Sequence, residues 1–199
     1  ILVLIGTQMV AKGLDFEAVT LVGVLDADQS LYVSHFRAAE TTFSMLAQVI
    51  GRAGRGQAEG MAVIQTMTPE HPVIQLAAAQ DYAAFYEMEI QLRRLRGCPP
   101  FADEIMITFH GEAEQTVIES AVRFRQRLER QLRTEAYRQE RVQLLGPAPA
   151  PIVRVNNRYR HRLTLNCKNT RPLRELLAYL IREFTRDRKN RGVSAYADV

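Results

Sequence analysis

Apolar residues fall along this chain in two rhythms. "ILVLIG" at the start and "VTLVGVLDAD" from Val19 are near-continuous apolar runs, the pattern of parallel strands covered on both faces. "GMAVIQTM" reads as a third strand, closing at Thr68-Pro69. Between the second and third runs, "AAETTFSMLAQVI" sets Phe43, Leu46, Val49 and Ile50 at helical spacing. A helical stretch follows from Pro69 to Arg96 and stops at Gly97, and Cys98-Pro99-Pro100 predicts a domain boundary.

The pattern then changes. "EIMITFHG" alternates as a strand, and a long amphipathic helix runs from about Ala113 to Ala136. "VQLLG" is a strand followed by a stiff turn, "PAPAP". "RYRHRLTLNC" alternates basic with apolar residues, as a strand does with one face on a core and one in solvent. A helix covers Pro172 to about Arg188 with Thr170 as its N-cap, and "GVSAYADV" closes as a strand. The order strand-helix-strand-strand-helix-strand predicts a ferredoxin-like split βαβ unit. The chain thus divides into an α/β part over 1–68, a connecting helical segment over 69–98 and an α+β domain over 99–199.

Composition adds compartment and partner. With 47% hydrophobic residues among 199, the chain can bury one medium core or two small ones. It opens at Ile1, without Met, inside an apolar run, so a piece of a longer protein is expected. That run is too short to span a membrane and lacks the basic flank of a signal peptide, so no membrane partner is expected. Cys98 and Cys167 are far apart and four histidines are scattered, giving no metal spacing. A reducing, cytoplasmic setting follows. Residues 1–98 hold 7 Lys+Arg against 10 Asp+Glu, whereas 99–199 hold 19 against 12. Only Lys12, Lys168 and Lys189 are lysines. An arginine-rich second half suits contact with phosphate backbones, although "RFRQRLERQLR" reads equally well as a solvated, salt-bridged helix face.

The densest chemistry lies in "LAQVIGRAGRG". At 100° per residue, Gln48, Arg52 and Arg55 fall at 0°, about 40° and about −20°, on one helix face. Gly51 and Gly54 beside them cost roughly 1 kcal/mol each in helix propensity. Two guanidinium forks beside bare backbone suit a phosphate, and a solvated helix end with glycine stops is the plainer alternative. Upstream, "GTQMVAKGLDF" is a dense polar loop directly after the first strand, where doubly wound sheets bind ligands. Asp26 and Asp28 in "LDAD" read better as acidic residues that end a strand and cap the next element than as a metal pair.

Together, "GTQMVAKGLDF" and "QVIGRAGR" resemble motifs V and VI of superfamily 2 helicases. With "VTLVGVLDADQSL", "FRAAE", "PEHPVIQ", "PPF" and "LLGPAPAP", the chain resembles the primosomal protein N′ family, the PriA-type replication-restart helicases. The resemblance implies the end of a RecA-like second helicase lobe, followed by the family's α+β C-terminal domain. It implies an ATP-dependent DNA helicase that recognises stalled or abandoned forks and promotes reloading of the replicative helicase. The alternatives are a DNA- and protein-binding module without catalysis, and another branched-DNA helicase sharing both motifs.

ATP and Mg2+ are the implied cofactors, in a site completed by a first lobe that carries the Walker lysine and acids outside these 199 residues. Zn2+ belongs to a cysteine-rich region upstream, with none here. By motif position, Arg52 and Arg55 reach the γ-phosphate with Gln48 coupled to them. The resemblance implies Asp15 near the nucleotide, with Gly51 and Gly54 as further cofactor-binding positions. Thr7, with its neighbour Gln8, contacts the DNA backbone. Forked or single-stranded DNA is the first expected partner. In the basic half, Arg154, Arg158, Arg160 and Arg162 in "RVNNRYRHR" would meet phosphates, with Tyr159 available to stack on a base. The resemblance also implies primosome and helicase-loading proteins, and the acidic C-terminal tip of single-stranded DNA-binding protein. For that tip the candidates are Arg171 and Arg174, with Leu173 and Leu177 shaping an apolar recess beside them.

Overall fold

β1 (Leu21–Val24) and β2 (Met61–Ile64) pair in parallel, Leu21 with Met61 through Val24 with Ile64. The computed structural model of the chain describes residues 3–7, 19–33, 35–53 and 60–198. A parallel pair cannot be closed by a tight turn, and here the crossover contains helix α1 (Ala38–Ile50). Phe43 and Leu46 are buried on α1, and Val49 and Ile50 are half-buried, as their spacing predicts.

Two expectations for this sheet fail. The strands are not covered on both faces: Val22, Val24, Ala62 and Ile64 are half-buried, whereas Leu21, Met61 and Val63 are more than half exposed. Nor is "ILVLIG" a strand where it is described, since Val3 to Gly6 have no regular structure and lie exposed. A strand needs a neighbour for its N–H and C=O groups, and among the described residues β1 pairs with β2 alone. Apolar composition supplies neither a second layer nor a ladder partner.

The stretch read as one connecting helix is two, α2 (Pro72–Ala78) and α3 (Tyr82–Arg96). Gln80 breaks them apart in the left-handed conformation, φ 54°, and the Asp81 carboxylate restarts the helix by accepting the Ala84 N–H at 2.9 Å. Val73, Ile74, Ala77 and Phe85 from this stretch join Phe43 and Leu46 in one core, with Phe85 stacked on Phe43 at a centroid distance of 4.2 Å. Tyr82 and Tyr86 are exposed at the edge of this core, with the Tyr82 ring centroid 6.1 Å from that of Phe43. The chain divides into compact units at Ile1–Leu92 and Arg93–Val199, so the division falls inside α3. α3 ends at Gly97, φ 60°, a conformation that glycine adopts freely.

Asp28 ties the first unit together. Its carboxylate accepts hydrogen bonds from the Thr66 and Thr68 hydroxyls and from the Met67 N–H at 2.7 Å, just past the end of β2. These bonds, the Thr68 hydroxyl foremost, hold its pKa below the usual carboxylate value. Asp28 is therefore a structural anchor. Among the described residues no three His, Cys, Asp or Glu side chains are grouped to hold a metal.

The second unit contains β3 (Asp103–Gly111), α4 (Glu114–Leu132), β4 (Val142–Val155), β5 (Arg158–Cys167), α5 (Arg171–Arg186) and β6 (Val193–Asp198). Its sheet runs β4-β5-β3-β6 with every pairing antiparallel, the ferredoxin-like arrangement expected from the element order. Ile105, Ile107, Phe109, Leu163 and Leu165 face α4 and α5, which contribute Phe124, Leu128, Leu173, Leu176, Leu177, Leu180 and Phe184. The Thr170 hydroxyl caps α5 by accepting the Leu173 N–H, as predicted. "PAPAP" is not a turn but part of β4. β4 is an edge strand whose register breaks between Leu145 and Ala148 and again between Pro149 and Arg154. Proline removes a ladder donor, which an edge strand with bulges tolerates. The reversal comes later, at Asn156-Asn157, both with positive φ (49° and 60°), as a two-residue hairpin loop requires.

Candidate functional site

The glycine-arginine stretch begins where α1 ends. Ile50 is the last helical residue, and the Arg52 and Ala53 N–H groups close tighter turns on the Val49 and Ile50 carbonyls. Arg52 therefore stands on the turn after the helix, not on the helix face that would align it with Gln48. Gln48 is exposed on the last turn of α1, and Arg52 is half-buried. Gly51 has φ −64°, a value open to any residue, so conformation does not explain the glycine there. Gly54 and Arg55 lie outside the described residues, as do Gln8 and Asp15, while Thr7 is exposed without regular structure. A permanently charged fork at Arg52 fits a phosphate. The described residues group no acids that would hold Mg2+.

In the second unit the sheet sorts the basic residues by parity. Along β5, Leu163 and Leu165 point to the helices, so Arg158, Arg160 and Arg162 point to the opposite face. The four arginines expected to act together are thus divided. Arg154 pairs with Tyr159 across the hairpin, its guanidinium 5.0 Å from the Tyr159 ring centroid. Tyr159 shares parity with Leu163, which takes it to the helix side, away from the other three arginines. Its ring faces Arg154.

Other strands complete the uncovered face. His110 on β3 is paired with Arg160, and Thr108 lies between Arg162 and Tyr196. Arg160 Nη2 donates to the Tyr196 hydroxyl at 3.3 Å, and the His110 and Tyr196 rings meet edge-on at 5.9 Å. Arg158 Nη1 lies 3.4 Å from His110 Nδ1. Arginine can only donate, so this contact is a hydrogen bond when Nδ1 carries no proton, as in the neutral imidazole. Burial first, then the charges of Arg158 and Arg160, hold the His110 pKa below its ordinary value. His110 and Tyr196 were not among the sequence candidates. Alternation puts them on the same side as the arginines, but only strand pairing makes them neighbours.

At the start of α5, Arg171 Nε donates to Glu175 at 2.8 Å, and Arg174 Nη1 donates to the carbonyl and side-chain oxygens of Asn169, each at 3.0 Å. Both arginines are exposed. Leu173 and Leu177 are core residues, 0% and 4% exposed, so they form no recess beside them. Cys98 and Cys167 are buried free thiols. Burial, with Asp103 and Glu140 adding to it, pushes Cys167 up to about 11, so it stays protonated at neutral pH and unsuited to a metal. Among the described residues no helix is long and apolar enough to cross a membrane.

Comparison with known proteins divides the chain in the same way. A family profile described as Primosomal protein N C-terminal domain matches residues 94–199, and one described as Helicase conserved C-terminal domain matches residues 1–57. The chain is 38% identical over 197 residues to a Replication restart protein PriA of Bacillus subtilis, covering 99% of this chain and 24% of that protein. Proteins of the same description from Synechocystis (42% over 164 residues, 80% of this chain and 18% of that protein) and Treponema pallidum (34% over 197 residues, 99% and 29%) are also similar. The chain thus spans less than a third of the length of these relatives.

Proposed function

The chain belongs to the primosomal protein N family, and on that premise we propose that it is the motor-end and C-terminal part of an ATP-dependent DNA helicase acting in replication restart. The observation that carries this reading is the succession of two matched regions on one chain. A helicase C-terminal region over 1–57 includes Arg52 and Arg55, and the family's own C-terminal domain covers 94–199. Arg52 and Arg55 would neutralise charge on the γ-phosphate of ATP, with Gln48 coupling that site to its surroundings, Asp15, Gly51 and Gly54 near the nucleotide, and Thr7 and Gln8 on the DNA backbone. ATP with Mg2+ supplies the phosphoryl group whose hydrolysis drives strand separation. The Mg2+ ligands, and the Zn2+ site of the family, are proposed to lie on parts of the protein beyond this sequence.

The full-length protein carrying this chain is expected to unwind a forked duplex when given ATP and Mg2+. The 199-residue chain alone should neither unwind it nor release phosphate. Strand displacement on labelled forks, run beside a phosphate-release assay, decides this. Turnover by the short chain, or none by the full-length protein, would overturn the proposal.

The partners proposed are forked or single-stranded DNA on the basic second unit, primosome and helicase-loading proteins, and the acidic tip of single-stranded DNA-binding protein at Arg171 and Arg174. With Leu173 and Leu177 in the core, the tip contact rests on charge, and it should be weak and salt-sensitive. Titrating a labelled acidic-tip peptide should give at least about tenfold weaker binding to an Arg171→Glu/Arg174→Glu chain than to wild type, a loss of about 1.4 kcal/mol. Equal affinity would remove these residues from the site.

A further inference from the structure

One face of the second unit's sheet is covered by α4 and α5, and the other carries Arg158, Arg160, Arg162, His110 and Tyr196, with neither of these two helices upon it. Such a surface combines cations with an aromatic ring, the two requirements for holding single-stranded nucleic acid. Tyr196 is 45% exposed, with its hydroxyl held by Arg160 and one edge on His110, so its position is fixed while ring surface remains open. An imidazole set among arginines, its Nδ1 3.4 Å from Arg158 Nη1, is the remaining unusual feature.

We propose that His110, Arg158, Arg160 and Tyr196 form one nucleotide site on the uncovered sheet face, with a single-stranded DNA phosphate between the arginines and the imidazole and the adjoining base on Tyr196. This rests on the reading that the basic second unit binds DNA, and it names the residues and the proton that the binding uses. In the free protein Arg158 donates to His110 Nδ1, and the charged groups facing that ring are Arg158 and Arg160 from β5, with the Tyr196 hydroxyl from β6. A bound phosphate offsets both guanidinium charges and offers acceptors. Nδ1 then takes a proton from solvent, the Arg158 Nη1–H that it had accepted turns to a phosphate oxygen, and the imidazolium donates to the same phosphate. DNA binding therefore takes up one proton and tightens as pH falls.

Three measurements on the 199-residue chain with a short oligothymidylate test this. NMR titration of the wild-type His110 ring should show its pKa rise when the oligonucleotide is bound, and an unchanged pKa would overturn the proposal. Between about pH 7.5 and 5.5 at constant salt, wild-type affinity should rise about three- to tenfold, within the limit of tenfold per pH unit for one proton. His110→Gln should abolish that rise, and the same rise in both proteins would remove His110. Tyr196→Ala should weaken oligothymidylate binding about five- to 150-fold, while an abasic oligonucleotide of equal length binds both proteins alike. Equal losses on both ligands, or no loss, would remove the base platform. The underlying reading fails separately. Arg158→Gln and Arg160→Gln should each lower the slope of log affinity against log salt by about one, and unchanged slopes would show that this face does not meet phosphates at all.

Discussion

Replacing Arg55 with alanine in the full-length protein is expected to cut DNA-stimulated ATP turnover by about 10³- to 10⁵-fold while leaving nucleotide affinity nearly intact. Phosphoryl transfer gathers charge on the transferring oxygens, and a guanidinium aimed at them acts mainly on the transition state. Loss of such a group lowers kcat and kcat/KM together, whereas loss of a plain binding contact raises KM. Arg55 follows Arg52 by three residues, inside the stretch matched to the helicase C-terminal region, and Arg52 stands on the turn that closes α1. Arg52→Ala should be similarly damaging. The double variant should be little worse than either, because two groups on one phosphate act as a unit. Steady-state ATPase assays with saturating DNA, beside a nucleotide-binding titration, decide the matter. Near-normal turnover by Arg55→Ala would remove it from the reaction, and a raised KM with unchanged kcat would make it a binding residue only.

The largest effect on stability is expected in the second unit, at Phe109. Its ring is fully buried, at 5.3 Å from Phe124 and 5.5 Å from Phe184 by centroid, and those two rings are 5.9 Å from each other. Phe109 thus joins the central strand β3 to both covering helices. Phe109→Ala removes two of the three ring pairs and leaves a cavity that α4, α5 and the sheet must close around, at a cost of about 3–5 kcal/mol. Against a domain stability of about 5–15 kcal/mol, that loss is about a third or more of the total over most of the range and brings a unit at its lower end close to unfolding. Phe109→Leu, which refills most of the space, should cost distinctly less. Urea unfolding followed by circular dichroism gives the comparison, and a loss under about 1 kcal/mol for the alanine variant would show that these rings do not hold the layers together. His110, the next residue, faces the other way, so the same variant also tests whether the proposed DNA-binding face needs the core beneath it.

Local pattern carried much of this molecule. The spacing of Phe43 and Leu46 marks the buried face of α1, Thr170 and Pro172 mark the start of α5, and Gly97 marks the end of α3. Each depends on neighbours within about one helical turn, so the chain itself contains the information. The element order of the second unit was enough for its ferredoxin-like class, because few topologies join those elements without crossings. The helicase motifs were legible for the same reason, as short runs of fixed residue type.

What the sequence could not carry is which elements lie side by side. "PAPAP" reads as a turn until β4 proves to be the edge strand, where missing donors cost little. Leu173 and Leu177 have one spacing whether they line a recess or fill a core, and the sheet opposite α5 decides for the core. Four arginines within nine residues look like one patch. Alternation and the Asn156-Asn157 reversal turn Arg154 and Tyr159 to one face and Arg158, Arg160 and Arg162 to the other. Residues about 36 and 48 positions apart, Arg160 with Tyr196 and Arg158 with His110, meet only because β5 and β6 both pair with β3. The sequence by itself determined α1, α4 and α5, the alternation of β3 and β5 and the helicase motifs, through interactions that act over a few residues. Tertiary structure alone decided the edge strand, the core and the company of His110, because strand pairing joins distant segments by backbone hydrogen bonds that carry no residue code of their own.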